Sequence, residues 1–342
     1  MLALQAITPQ ALADLCAPLT PAEARKVVAA VHRGCSLDRL VGVRRVAMDA
    51  VRGSGVVPKL GLCAQRRSRV DPFVKFALET PDGHVLETVR IPLERRGRFS
   101  VCVSSQVGCA LACEFCATGR LGLARNLEVW EIVEQVRVVR GALGPGERVH
   151  GVVFQGMGEP LANIDHVVEA IRVMFDPSAL AIDARAMTVC TAGLPSGIRR
   201  LASVVPKVRL GVSVVSARGD VRRRLMPIDG RYPLDEVIDA TEEHARVTGL
   251  APMWAIALLG GVNDSDEDAR ALAELAHRFE RHTSVRPRIS LVPYNAIDGA
   301  SFARGDIARF RNALATFGLR AHVRYSGGSD MAAACGQLVG GM

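Results

Sequence analysis

The chain has 342 residues, of which 49% are hydrophobic, and a formal net charge of +8. This length supports one large domain, or one large and one small, with a sizeable buried core. No apolar run approaches the roughly 20 residues that span a bilayer, and no basic stretch precedes the apolar N-terminal residues, so we expect a cytoplasmic protein without a membrane segment. The positive charge favours an acidic partner such as RNA, although an arginine-rich composition alone produces the same charge.

The first part of the chain has a helical pattern. Two segments open with Thr-Pro, at Thr8 and Thr20, which places an N-cap before a proline at the first helical position. Gly34 ends the second segment, and a third apolar-periodic stretch covers residues 36–52. We therefore predict a small helical accessory domain over residues 1–60.

Residues 61–94 are predicted to form a β-hairpin extension and linker. The segment FVKFALETPDGHVLETVRIP (73–92) alternates apolar and polar residues around Asp82-Gly83, a dipeptide typical of hairpin turns. The arginine-rich residues 94–98 follow it. This extension leads into the remainder of the chain.

From residue 95 to 342, strand-like apolar runs alternate with helical periodicity. The predicted strands cover residues 99–104, 149–155, 186–192, 207–215, 253–259, 288–294 and 320–325. The predicted helices cover residues 128–141, 163–175, 195–203, 233–248, 265–281 and 304–317. Repeated βα units with nearly continuous apolar strands indicate an α/β fold with a parallel sheet. Six or seven units favour a partial (β/α)6-type barrel, in which the chemistry lies at the carboxyl ends of the strands.

Four of the nine cysteines lie in CVSSQVGCALACEFCATG, residues 102–119. Cys109, Cys113 and Cys116 have the spacing C-x3-C-x2-C, and in a reducing compartment such cysteines bind metals more often than they form disulfides. Three thiolates can hold three irons of a [4Fe–4S] cube and leave the fourth iron open to a substrate. A structural zinc site needs a fourth ligand, which another part of the chain could supply.

The cysteine stretch resembles the RlmN/Cfr family of radical S-adenosylmethionine (SAM) RNA methyltransferases. The resemblance continues in QGMGEPLANI (155–164), RLMPIDGRYPLDEV (224–237), GVND (261–264), LVPYN (291–295) and AACGQL (333–338). It covers nearly all of residues 85–342 and is looser over the first 60 residues. It implies a [4Fe–4S] cluster on Cys109, Cys113 and Cys116, and two SAM molecules in each turnover.

The resemblance also implies a radical mechanism. Members of the family methylate an sp² carbon of adenine, which is too electron-poor to attack a methyl sulfonium. One SAM methylates a cysteine that matches Cys335, and a second yields the 5′-deoxyadenosyl radical that takes hydrogen from this methyl group. The carbon radical adds to adenine, and the thiol matching Cys102 then resolves the crosslink and leaves a disulfide. Glu87, in LETVRIP, matches the carboxylate that accepts the proton from the adduct carbon.

The implied SAM contacts lie in four motifs. They are Gly158 and Glu159 in GMGEP, Cys190 in TVCTAG, Ser213, Val214 and Val215 in GVSVVS, and Asn295 in LVPYN. Glycine lets the backbone approach a ligand, and Glu159 can pair with the methionyl ammonium. The family usually has serine at position 190 and histidine at position 215. Because valine removes a polar contact that histidine supplies, the chain is identified as a divergent member.

The remaining candidates have no motif around them. Cys16, Cys35 and Cys63 are assigned to packing, since cysteine is among the most buried residue types. The candidate phosphate contacts are Arg66, Arg67 and Arg69, residues 94–98, and Arg222, Arg223 and Arg224. For each of these, a solvated charged surface is the alternative.

The sequence therefore predicts a radical SAM methyltransferase that acts on adenine in 23S ribosomal RNA, with transfer RNA as a further substrate and an electron donor such as flavodoxin. Carbon 2 is the preferred target; carbon 8 is the alternative, which GRYPLDEV and the short C-terminal tail mildly favour. A radical SAM enzyme with a small-molecule or peptide substrate is a second class, and a zinc-binding RNA module is a third. The pair Cys102 and Cys335 argues against the second class, and bound iron would exclude the third.

Overall fold

The structure, a computed structural model, describes residues 1–38 and 40–340. The strands there are β1 (Leu2–Ala3), β2 (Gly55–Val56), β3 (Gly61–Arg67), β4 (Val74–Glu79), β5 (Val85–Pro92), β6 (Arg98–Val103), β7 (Gln106–Cys109), β8 (Gly122–Asn126), β9 (Arg148–Phe154), β10 (Met187–Thr191), β11 (Arg209–Ser213), β12 (Met253–Gly260), β13 (Arg288–Pro293), β14 (Ala303–Arg304) and β15 (Ala321–Val323). The α-helices are α1 (Pro9–Leu15), α2 (Pro21–Arg33), α3 (Arg45–Ser54), α4 (Val129–Gly141), α5 (Ile164–Phe175), α6 (Pro195–Val204), α7 (Gly219–Leu225), α8 (Leu234–Thr248), α9 (Asp266–Thr283) and α10 (Ile307–Thr316). Among these helices, none combines the length and the apolar character needed to cross a membrane.

The N-terminal helices α1 and α2 begin where the Thr-Pro pairs predict. The hydroxyls of Thr8 and Thr20 each accept a hydrogen bond from the backbone N–H three residues further on. Gly34 ends α2 in the left-handed conformation, with φ of 71°. The third helix begins only at Arg45, later than predicted, because Gly42 has a left-handed backbone that an α-helix does not accommodate.

One large sheet forms the main body of the protein. Its strands follow the order β15-β13-β12-β11-β10-β9-β6-β5-β4-β3, and β14 pairs with the end of β12. The pairs from β6 to β15 are parallel. A helix lies between successive parallel strands along the chain, and the strands are largely buried because the sheet is covered by the apolar faces of these helices. The predicted α/β class with a partial parallel barrel is confirmed.

Three antiparallel strands continue this sheet beyond β6. Strand β5 pairs with β6, β4 with β5, and β3 with β4. The turn between β4 and β5 contains Gly83 with φ of 82°, so the predicted hairpin is present. The hairpin of β4 and β5 belongs to the main sheet, and β3 is the edge strand of that sheet. The division of the chain at residues 60 and 94 stays a prediction.

The three cysteines without motifs have different environments. Cys16 is buried in the N-terminal core, as predicted for a packing residue. Cys35 and Cys63 are exposed, so their assignment to packing is wrong. Cys35 follows the C-cap glycine of α2 and points away from the core, and Cys63 lies on the edge strand β3, where only one side of the strand is paired.

Candidate active site

A cavity of about 250 Å³ lies at the carboxyl ends of the parallel strands. Each strand end supplies part of its wall, and the C-terminal segment 332–340 closes the other side. All of the predicted site residues line this cavity except Glu87 and Val214. Sequence motifs that are far apart along the chain are therefore brought to one position by the parallel topology.

The three motif cysteines lie on a loop that is tied to its surroundings. Cys109 ends strand β7, which pairs with β8, and the backbone N–H of Cys116 bonds to the carbonyl of Cys113 at 3.1 Å. The backbone N–H of Ala117 bonds to the carbonyl of Gly336 at 2.7 Å. The cysteine loop and the C-terminal segment are thus in direct contact.

The three thiols fit the ligand set of an iron–sulfur cluster. Burial raises the pKa of all three, to about 11 for Cys109, and for Cys109 and Cys113 repulsion between neighbouring thiolates adds to the rise. Thiolates here need a positively charged partner, which iron supplies. Among the described residues, no three Cys, His, Asp or Glu side chains converge on one ion position. The three cysteine ligands of a [4Fe–4S] cube each bind a different iron, so their sulfurs need not converge on one ion position.

The GMGEP turn packs tightly against the segment that carries the cysteines. Gly158 has φ of 94°, and a Cβ there would overlap the side chain of Gln106. The carboxylate of Glu159 accepts backbone N–H groups of Leu161 at 2.9 Å and Ala192 at 2.8 Å. Burial raises the pKa of this carboxyl. The Glu159 carboxylate is a fixed, buried acceptor at the cavity wall, and it suits the ammonium group of an amino-acid-like ligand. The positive charge of that ammonium group would in turn stabilise the ionised form of Glu159.

The end of strand β11 is held by a buried arginine that the sequence analysis misassigned. The guanidinium of Arg222 donates to the carbonyls of Ser213 at 2.7 Å, Val214 at 2.5 Å and Ala192 at 2.8 Å, and it pairs with Asp229 at 3.0 Å. Its side chain is 0% exposed, so the prediction that it contacts phosphate is wrong. Arg222 is followed by two further arginines, and the sequence of such a run does not show which side chain points into the core. Neighbouring Arg223 and Arg224 are exposed.

Replacing Arg222 by methionine is expected to destabilise the protein by about 3–5 kcal/mol. The substitution removes one partner of a buried ion pair and leaves the Asp229 carboxylate without its main cation. Denaturant unfolding of the reconstituted protein measures this loss. The exposed neighbour provides a matched control, because Arg224→Met is expected to stay within about 0.5 kcal/mol of the wild type. Equal stability of the two variants would contradict a structural role for Arg222.

The backbone is strained where β11 ends. Val215 has φ of 61°, which is an outlier for a β-branched residue, and its carbonyl accepts a hydrogen bond from Asn263 at 2.8 Å. Asn263 belongs to the GVND motif, so this motif fixes the strained turn. Val215 lines the cavity, whereas the side chain of Val214 points into the core. A ligand in the cavity could therefore contact Val214 only through its backbone.

The C-terminal segment 332–340 is held from several sides, and it places Cys335 in the cavity wall. The amide of Asn295 donates to the carbonyl of Cys335 at 3.2 Å, and the hydroxyl of Thr118 donates to the carbonyl of Leu338 at 2.6 Å. Sequence reasoning missed Thr118, although it lies in the CATG end of the cysteine stretch. These bonds determine the position of the Cys335 backbone relative to the cysteine loop.

Glu87 lies beneath the C-terminal segment and does not reach the cavity. Its carboxylate pairs with Lys75 at 2.7 Å, both side chains are buried, and it accepts the backbone N–H of Val339 at 2.8 Å. Lys75 also donates to the carbonyl of Ala332 at 3.2 Å. The ion pair therefore holds the segment on both sides of Cys335. The signal for Lys75, which sequence reasoning missed, is a single charge within the apolar run FVKFAL (73–78).

Besides the motif triplet, three thiols line the cavity: Cys102, Cys190 and Cys335. Burial raises the pKa of Cys102 far above its usual value and that of Cys190 to about 12, and the nearby Cys335 raises both further. The guanidinium of the half-buried Arg324 opposes these rises in pKa. Arg324 is held in place by a hydrogen bond to the side chain of Gln155 at 2.7 Å. It is the cation that stabilises thiolates in this part of the cavity.

Replacing Arg324 by methionine is expected to slow alkylation of Cys102 by iodoacetamide at any fixed pH. Without the guanidinium the pKa of Cys102 rises further, and each unit of rise lowers the thiolate population about tenfold. Site-specific mass spectrometry of the Cys102 peptide in anaerobic, reconstituted protein measures the rate across a pH series. Arg324→Lys keeps the charge and is expected to retain most of the rate. An unchanged rate in the methionine variant would contradict this role.

Comparison with known proteins identifies relatives along the whole chain. Residues 103–276 match the radical SAM superfamily. A probable RNA methyltransferase of Sorangium cellulosum is 55% identical, over 96% of this chain and 90% of its own. The probable dual-specificity RNA methyltransferase RlmN of Gloeobacter violaceus is 41% identical, over 80% of this chain and 76% of its own. Among solved structures, a radical SAM methyltransferase from Sphaerobacter thermophilus matches all of both chains, with a TM-score of 0.88 and 33% identity.

Proposed function

Because the chain belongs to the RlmN/Cfr-type family of radical SAM RNA methyltransferases, we propose that it methylates carbon 2 of an adenine in 23S ribosomal RNA and in transfer RNA. The observation that carries this proposal is the shared cavity, in which Cys102 and Cys335 lie beside the cysteine triplet 109, 113 and 116. A methyl-carrier mechanism needs two reactive thiols near the cluster. A radical SAM enzyme without a methyl carrier has no need of this pair.

The residues of the cavity fit both cofactors of the family. Cys109, Cys113 and Cys116 would hold the [4Fe–4S] cluster, and its fourth iron would accept SAM. When bound, the cluster and SAM supply the 5′-deoxyadenosyl radical, with two SAM molecules used in each turnover. The SAM contacts would come from Gly158, Glu159, Cys190, Ser213, Val215 and Asn295, with Val214 contributing its backbone.

The two thiols outside the cluster motif have separate roles in this proposal. Cys335 carries the methyl group on its sulfur and, after addition to adenine, links the protein to RNA. The Cys102 thiolate attacks the Cys335 sulfur, so that an S–S bond forms while the bond from sulfur to the transferred carbon breaks. The electron pair of the broken bond passes to the transferred carbon and the adenine ring, and this carbon then takes a proton to become the methyl group. Arg324 favours this step by stabilising the attacking thiolate.

Glu87 is proposed as the group that accepts the proton from the adduct carbon. In the structure its carboxylate is engaged with Lys75 and with the C-terminal segment. Glu87 can reach the cavity only if residues 339–340 release it, so proton transfer would be coupled to a movement of the segment that carries Cys335. The same movement would give Cys335 the freedom that a carrier of a methyl group needs.

Membership of the family supports the proposed RNA substrates. Relatives named dual-specificity RNA methyltransferases support more than one RNA substrate. The positive charge of the chain supports binding to the RNA backbone. We place the enzyme in the cytoplasm, where an electron donor such as flavodoxin would reduce the cluster.

Mass spectrometry of modified nucleosides tests the proposal. Ribosomal and transfer RNA from cells with and without this gene are digested, and 2-methyladenosine and 8-methyladenosine are quantified. Loss of 2-methyladenosine from both RNAs on deletion, with recovery on complementation, is the expected result. Loss of 8-methyladenosine would overturn the choice of carbon, and unchanged nucleosides in both RNAs would overturn the RNA substrate.

A further inference from the structure

An exposed tyrosine lies at the mouth of the cavity. Tyr325 lines the cavity, yet its side chain is 68% exposed. Only 4% of the chain is aromatic, and this ring exposes most of its surface to solvent beside the cavity. The proposed mechanism does not yet assign a role to this ring.

The ring of Tyr325 is held in one position. Its hydroxyl donates to the carboxylate of Asp71 at 3.0 Å, and the same carboxylate oxygen accepts the backbone N–H of Gly328 at 2.8 Å. The ring of Phe73 packs beside it, with centroids 6.0 Å apart and planes at 57°. Because its edge and hydroxyl are fixed while most of the side chain stays exposed, little entropy is lost when a flat ligand stacks on it.

The tyrosine belongs to a rigid wall made of two segments. Asp330 accepts hydrogen bonds from the hydroxyl of Ser68 and the backbone N–H of Arg69, both at 2.8 Å. Gly327 lets the Phe73 ring lie against the backbone, since a Cβ there would overlap that ring. Residues 68–73 and 325–330 therefore form one unit, which we call the mouth wall.

The mouth wall is next to a basic surface. Arg66 and Arg69 are exposed, at the end of edge strand β3 and in the loop that follows it, and Arg66 points to the same face of the sheet as its partner Lys75. Arg67 is also exposed but points to the opposite face, with its partner Val74. Arg69 is itself part of the mouth wall. An exposed aromatic ring near basic side chains is the combination that proteins use to bind single-stranded nucleic acid, with stacking on the ring and phosphates on the cations.

We propose that Tyr325 is a stacking platform for an unpaired base of the substrate RNA as that base enters the cavity, and that Arg66 and Arg69 bind the adjoining phosphates. This inference rests on the proposed function and adds a binding site to it. A base within a duplex cannot reach Cys335, so it has to leave its stack. The Tyr325 ring would replace the stacking that the base loses.

Steady-state kinetics with a fragment of the RNA substrate test this site. We expect Tyr325→Ala to lower kcat/KM for RNA about 5- to 100-fold, chiefly through KM, because base stacking on one ring contributes an effect of this size. Tyr325→Phe, which keeps the ring, is expected to restore most of the loss. In the proposed mechanism, methylation of Cys335 involves only the protein and SAM, so Tyr325→Ala is expected to leave it unchanged.

A matched control is available on the outer surface. Phe175, at the end of α5, is also an exposed aromatic residue and lies outside the cavity lining, so Phe175→Ala is expected to leave KM for RNA unchanged. Replacing Arg66 and Arg69 together by glutamine is expected to reduce the slope of RNA affinity against salt concentration. Arg67→Gln, on the opposite face of β3, is expected to leave this slope nearly unchanged.

The outcomes separate this inference from the proposed function. A wild-type enzyme that methylates no RNA would overturn both. An active wild type with an unchanged KM in Tyr325→Ala, or equal losses in the alanine and phenylalanine variants, would overturn the platform alone. If Tyr325→Ala impaired only turnover driven by a protein electron donor and not that driven by dithionite, the ring would bind the donor and the inference would be wrong.

Discussion

Replacing Cys335 by alanine is expected to abolish methyl transfer to RNA while the iron–sulfur cluster still assembles. Cys335 is outside the triplet of proposed cluster ligands, and its backbone is held by Asn295 independently of its thiol. In the proposed mechanism the methyl group is carried on the Cys335 sulfur, so its loss removes the methyl carrier. Iron and sulfide content, together with transfer of isotope-labelled methyl from SAM to RNA, measure the two properties in one preparation.

An exposed thiol provides the control for this variant. Cys63 lies on the edge strand β3, and Cys63→Ala is expected to keep both the cluster and full methyl transfer. Full activity in Cys335→Ala would eliminate the methyl-carrier role. Loss of the cluster in that variant would instead make Cys335 an iron ligand.

Replacing Cys102 by alanine is expected to trap a covalent complex between the enzyme and RNA. In the proposed mechanism Cys335 joins the adenine through the transferred carbon, and the thiol of Cys102, buried in the same cavity, then attacks the Cys335 sulfur. The trapped species is expected to appear as an RNA-dependent shift on a denaturing gel. Its dependence on SAM distinguishes it from non-specific crosslinking.

The double variant Cys102→Ala with Cys335→Ala shows whether the crosslink uses the expected sulfur. It is expected to give no shifted species, because the atom that joins the RNA is missing. If the single Cys102 variant gave no shift while its cluster was intact and Cys335 was methylated, Cys102 would not be the resolving thiol. Turnover at the wild-type rate would lead to the same conclusion.

Local sequence signals predicted the elements of the fold closely. Each of the seven predicted strands from residue 95 onwards begins and ends within two residues of an observed strand. Buried parallel strands are apolar on both faces, and Thr-Pro at Thr8 and Thr20 satisfies the first turn of a helix, so these signals depend on residue type alone. The start of α3 was mispredicted because Gly42 interrupts an otherwise helical pattern by its backbone conformation.

Side chains whose role depends on distant partners were predicted less well. Arg222 lies in a basic run that resembles a phosphate-binding surface, yet it is buried with Asp229 and three carbonyls. Lys75 and Thr118 hold a segment more than 200 positions further along the chain. Nothing in the neighbouring sequence indicates these partners, since they meet only after the sheet and the C-terminal segment have packed.

The amino-acid sequence by itself determined the parallel α/β class, the cysteine triplet and the family, because apolar periodicity and motif spacing are properties of short segments. Only the tertiary structure decided that Cys335 shares a cavity with Cys102, that the Lys75–Glu87 pair holds the C-terminal segment, and that Tyr325 stands exposed at the mouth. These features arise from contacts between distant parts of the chain, and such contacts depend on how whole elements pack rather than on the residues beside them.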